Sequence, residues 1–103
     1  MSLPLIITPD AEADIAEARR WYERKRKGLG QEFELCVDEA VKQVRTIPLS
    51  GREIRPGVRR VLVPRFPYLL LYVVDVDQIA VLAVYDDRRN PAVWQARLDD
   101  FGL

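Results

Sequence analysis

Arginine is the residue whose spacing in this chain most suggests chemistry. Between Gly51 and Phe66 it occurs as Arg52, Arg55, Arg59, Arg60 and Arg65, opposed only by Glu53. Five positive charges minus one negative give a local balance of +4. Arg88 and Arg89 form a second group. The planar guanidinium can grip a phosphate or carboxylate through two parallel hydrogen bonds, so this pattern fits a binding surface. It also fits a charged sheet edge that blocks strand-to-strand aggregation.

Other chemistry is poorly supplied. The chain has no histidine, which removes the usual general base near neutral pH and a common metal ligand. Its one cysteine, Cys36, cannot form an intramolecular disulfide, and its neighbours Leu35 and Val37 point to a packed helix position. There is no paired-cysteine motif and no glycine-rich phosphate loop. Asp86-Asp87 and Asp99-Asp100 are adjacent acids, read as solvated turn and helix-end residues. No metal and no cofactor are expected.

The net charge is zero, from 16 basic and 16 acidic residues, which argues against broad, non-specific binding to nucleic acid. At 103 residues, 49 % of them hydrophobic, the chain predicts one domain over 1–103. No apolar run approaches the roughly 18 residues of a membrane span, and nothing reads as a signal peptide. The expected location is the cytoplasm.

The elements that would position the arginines follow from periodicity. Leu3 to Ile7 predicts a short strand. Thr8-Pro9-Asp10 reads as a helix start, with Thr8 as the cap and proline in the first turn. Ala11, Ile15, Ala18 and Tyr22 then share one helical face, with Trp21 beside it. Arg24-Lys25-Arg26-Lys27 suits the end of that helix, as solvated charge or as a contact patch, and Gly28 terminates it. A second helix is expected from Leu29 to Ile47, carrying Phe33, Val37, Ala40, Val41 and Val44, with Pro48 as its stop.

Val58 to Val63, Tyr68 to Val74 and Ile79 to Tyr85 predict strands, the last two as a hairpin buried on much of both faces. Asn90-Pro91 then suits the start of a short helix from Ala92 to Leu98, with Trp94 facing inward. The fold class is α+β: β-α-α-β-β-β with a possible final helix, the α-hairpin lying on a curved antiparallel sheet. Val37, Val44, Leu70, Tyr72 and Val81 are the expected core.

The ordered set resembles the ParE-type toxins of the RelE/ParE superfamily, also called plasmid-stabilisation proteins. Its parts are Thr8-Pro9-Asp10-Ala11, Trp21-Tyr22-Glu23, the helix with Phe33 that ends at Ile47-Pro48, and Gly57-Val58-Arg59-Arg60-Val61. Phe66-Pro67-Tyr68, Leu71-Tyr72, Ile79 to Val84, Arg88-Arg89-Asn90-Pro91 and Trp94 complete it. The resemblance implies the toxin half of a type II toxin–antitoxin pair, with a cognate antitoxin and either of two targets. ParE-like members inhibit DNA gyrase, whereas RelE-like members cleave mRNA on the ribosome.

RelE-like nucleases resemble one another in strand cations, a later arginine and a late aromatic base. Those positions correspond here to Arg60, Leu62, Leu69, Arg88 and Trp94. Leucine cannot contact phosphate and indole cannot exchange a proton as a phenol does, so too few groups remain to stabilise a pentavalent phosphate. The reading is a non-enzymatic gyrase inhibitor with Arg52, Arg55, Arg59, Arg60, Arg65, Arg88, Arg89 and Trp94 as partner-binding residues. The alternatives are an endoribonuclease using Arg60, Arg88 and Tyr85, and a non-toxic module that only binds antitoxin. A toxin dimer or a heterotetramer with the antitoxin stays open.

Overall fold

The computed structural model describes residues 3–103. Strand β1 (Leu5–Ile7) leads into helices α1 (Pro9–Lys25) and α2 (Leu29–Thr46). Strands β2 (Arg52–Arg55), β3 (Val58–Leu62), β4 (Tyr68–Val74) and β5 (Ile79–Asp86) follow, and α3 (Ala92–Asp100) completes the chain. The α+β class and the helical hairpin on a sheet are as the sequence predicts.

The helix boundaries have local causes. Thr8 Oγ1 accepts from Ala11 N at 3.3 Å, Pro9 opens the helix, and Asp10 and Glu12 sit against its positive end. Between the helices Gly28 adopts φ +90°, a left-handed conformation that costs glycine little. The Glu23 carboxylate braces this corner by accepting from Gly28 N at 2.9 Å and Gly30 N at 3.0 Å, which holds its pKa below the usual value. At Gly30 a β-carbon would lie 2.6 Å from Arg19 O, so α1 and α2 could not approach as closely with any other residue there.

The sheet runs β1-β5-β4-β3-β2 and is mixed. β2 to β5 form an antiparallel meander, whose last strand returns beside β1 and runs parallel to it, pairing Leu5 with Ile79 and Ile7 with Val81. The expected all-antiparallel sheet is thus corrected at this one pairing. The β1 stretch is too short and isolated in sequence to declare a direction. β2 is an additional strand that apolar patterning misses, because Arg52, Glu53 and Arg55 surround a single Ile54. Such charge suits an edge strand. The Pro56-Gly57 pair, with Gly57 at φ +80°, supplies the turn joining β2 to β3.

The helices cover one sheet face. Ala11, Ile15, Ala18, Tyr22, Phe33, Val37, Ala40 and Val44 meet Val61, Leu70, Tyr72 and Val81 there. Every core residue expected from sequence is buried, and Cys36 is buried as well. On the other face α3 buries Leu98 against Val58 and Leu82, and Trp94 packs half-buried beside them.

Tyr72 ties the sheet to the α2–β2 connection. Its hydroxyl donates to Pro48 O at 2.7 Å and accepts from Gly51 N at 3.0 Å. Tyr72→Phe is therefore expected to cost about 1–3 kcal/mol, because a buried amide loses its acceptor as the hydroxyl disappears. Urea unfolding checks this, and an unchanged midpoint would show that water replaces the hydroxyl without loss.

Candidate functional site

Side chains alternate across a strand, so the register sorts the arginine-rich segment by face. Arg59 lies opposite Tyr72, on the helix-covered side. Its guanidinium donates to Gly51 O at 2.8 Å and Leu49 O at 3.3 Å, fastening the chain entering β2. Arg60 pairs with Leu71 and Arg52, which places Arg60 and Arg52 on the other face. Leu62, 65 % exposed, continues that strip beside the buried Leu69. Arg65 stands apart on the β3–β4 connection, exposed and at φ +68°.

Two further arginines are engaged within the chain. Arg55 bonds Asp99 Oδ1 and Leu103 O, each at 2.9 Å, and so anchors the end of α3 to β2. Arg88 forms a two-pronged pair with Asp86, Nε to Oδ1 at 3.0 Å and Nη2 to Oδ2 at 2.8 Å. The Arg88 side chain and backbone amide hold the Asp86 carboxyl below its usual pKa, and Asp86 in turn raises that of Arg88. The sequence reads Asp86 and Asp99 as solvated acids, and the structure instead makes each the partner of an arginine. Arg52, Arg60, Arg65 and Arg89 have no carboxylate partner among the described residues.

The groups an endoribonuclease would need are not collected at one point. Tyr85 pairs with Leu69, on the same face as Arg60, and its ring centroid is 6.0 Å from that of Trp94. Burial and then the Asp87 carboxylate lift the Tyr85 phenol above its usual pKa, against Arg60 and Trp94, which lower it. A phenol shifted upward is a poorer base at neutral pH. Arg88 is held by Asp86, whose register partner Tyr68 belongs to the helix-covered side, and its charge acts on Tyr22 and Tyr68 there. One layer of sheet therefore lies between Tyr85 and Arg88.

A groove of about 260 Å³ lies alongside the outer edge of β5, between α1 and α3. β1 covers that edge only as far as Val81, with Thr8 N donating to Val81 O at 3.1 Å. Beyond it two side chains act in place of a strand. Asp14 Oδ2 accepts from Val84 N at 2.9 Å, and Arg97 Nη1 donates to Leu82 O at 3.3 Å. Arg97 also pairs with Asp14, Nη2 to Oδ1 at 3.0 Å, and this contact raises the Arg97 pKa. The walls carry the exposed apolar side chains Trp21 and Val93, with Arg24 and Arg89 also lining the groove. The sequence points to Trp94 and Arg89 here but misses Asp14 and Arg97. Those two residues are 83 positions apart and carry no local signal of pairing.

A family model for the ParE toxin of the type II toxin–antitoxin system parDE matches residues 5–91, which leaves α3 beyond the matched segment. No curated protein sequence matches the chain. Among solved structures, one of the chromosomal ParDE toxin–antitoxin system from P. aeruginosa is similar in fold at TM-score 0.73 and 22 % identity. The match covers 82 % of this chain and 95 % of that one. No helix among the described residues is long and apolar enough to cross a membrane.

Proposed function

Since the chain belongs to the ParE toxin family of type II toxin–antitoxin systems, we propose that it arrests growth by binding DNA gyrase without chemistry of its own. In this reading the 1–103 domain acts in the cytoplasm and is neutralised by the antitoxin partner that such a system implies. The observation that carries the choice of target is the dispersal of the nuclease groups. Leu62 and Leu69 occupy strand positions where cations are needed, the Tyr85 phenol is shifted away from base strength, and Asp86 closes off Arg88. A phosphoryl-transfer site needs converging donors, and dispersed arginines suit protein contacts instead.

The contact cations in this reading are Arg52, Arg60, Arg65 and Arg89. Arg55, Arg59 and Arg88 serve the fold first, and Trp94 adds an aromatic surface beside Tyr85.

Purified chain is expected to block supercoiling of relaxed plasmid by gyrase, and added antitoxin should restore it. Primer extension on translated mRNA should show no new ends. Codon-phased cleavage that disappears in Arg88→Ala would replace this reading with the ribosome-dependent endoribonuclease. Unimpaired growth under verified expression of folded protein would leave only an antitoxin-binding module.

A further inference from the structure

We propose that the groove along β5 takes an extended segment of the antitoxin as an added strand, paired with Val84 and Asp86 alone. The inference rests on the antitoxin partner described above and names where one part of that partner lies.

The pairing site follows from the ladder. In an antiparallel strand the backbone groups of successive residues face alternate neighbours. Asp87 N donates inward to Pro67 O at 2.8 Å, whereas Val84 N faces outward to Asp14. By alternation Val84 O and Asp86 N also face the groove, and neither has a partner among the described residues. Asp14 and Arg97 already occupy Val84 N and Leu82 O, so an incoming strand cannot continue toward β1. Its register is confined to one acceptor and one donor, and the ion pair is the stop.

The walls specify the side chains. A strand laid beside β5 directs one residue toward α3 and the next toward α1. On the α3 side Val93 is 60 % exposed and Trp94 half-buried, which suits an apolar residue. On the α1 side Arg24 is exposed and lines the groove together with Arg89, and both lack intramolecular carboxylate partners among the described residues. That side suits a carboxylate. A second copy of this chain is a poor occupant. Symmetric pairing of two β5 edges would bring Arg24 and Arg89 of both copies together, and the β2 edge carries Arg52 and Arg55. The partner fitted here is an extended peptide with an apolar and an acidic residue in succession, a strand-addition mode with pockets for alternate side chains.

The test uses the full chain and its antitoxin, purified separately and together. Amide exchange followed by NMR should slow at least tenfold at Asp86 on complex formation. Val84 and Tyr85, whose amides are already bonded in the free chain, should change little. In calorimetric titrations Arg24→Glu combined with Arg89→Glu should weaken binding at least tenfold and reduce its salt dependence. Arg20→Glu, on the same helix but outside the groove, should bind as wild type, and circular dichroism should show both variants folded. A complex that leaves Asp86 exchanging at its free rate, or that tolerates the double reversal, overturns the strand-addition site while keeping the antitoxin partner. Failure of the wild-type chain to form any complex overturns both.

Discussion

Phe33→Ala should lower stability by about 3–5 kcal/mol, a large part of the roughly 5–15 kcal/mol typical of a domain. Phe33 is fully buried at the centre of an aromatic group, with ring centroids 5.3 Å from Tyr22, 5.2 Å from Phe66 and 5.0 Å from Tyr68. Truncation removes the transfer energy of the ring and leaves a cavity. It also removes edge-to-face and stacked contacts worth about 0.5–1.5 kcal/mol each. The site resists collapse because its walls come from three directions: α1 supplies Tyr22, β4 supplies Tyr68, and the β3–β4 connection supplies Phe66. In urea, a slope of about 2 kcal/mol/M would turn this loss into a midpoint about 2 M lower. Phe33→Leu should recover part of the loss. A midpoint within error of wild type would mean that the cluster relaxes around the vacancy and that its packing is not what joins hairpin to sheet.

Phe33 is legible in the amino-acid pattern alone, and the reason is general. It lies on a stripe with Val37, Ala40 and Val44 at helical spacing, and such periodicity records which face must leave water. The same reasoning locates α1, β4 and β5. β2 escapes it because an edge strand needs little apolar surface, although Pro56-Gly57 between Ile54-Arg55 and Val58-Arg59 carries a turn signal. The parallel pairing of β1 escapes because three residues do not encode a direction. It follows from the meander bringing β5 back beside the first strand.

The candidate site is legible in composition and not in geometry. The sequence shows that arginines gather after Gly51, but not that Arg59 is committed to Leu49 O and Gly51 O or Arg55 to Asp99. Those commitments depend on backbone placed by tertiary packing. The Asp86–Arg88 pair spans only a turn and has a local signal, yet adjacent acids there read equally well as solvation. Asp14 looks like an ordinary acid on the polar side of α1. Only when α3 crosses the sheet does its carboxylate meet both Arg97 and an otherwise unpaired strand amide.

That dependence on α3 leads to a second large effect with a different signature. Leu98 is the one fully buried side chain of α3, packed against Val58 and Leu82. Leu98→Ala should cost about 2–5 kcal/mol by the usual cavity argument. Unlike Phe33, however, Leu98 belongs to a peripheral helix held by few other contacts: half-buried Trp94, the Arg97–Asp14 pair and the exposed Arg55–Asp99 pair. The last of these contributes little in water. The loss cannot exceed the free energy of α3 docking, because beyond that point the helix leaves the sheet and the remaining fold no longer feels the substitution. Amide exchange separates the two cases. A local loss of about 2.8 kcal/mol accelerates exchange about a hundredfold, tenfold for each 1.4 kcal/mol. That acceleration should appear in α3 and at Val84, whose amide relies on the Asp14 carboxylate that Arg97 holds in place. Leu70 and Tyr72 on β4 should keep most of their protection. Uniform acceleration across α3 and β4 would show that α3 unfolds only with the whole domain, and that the sheet face it covers never opens separately.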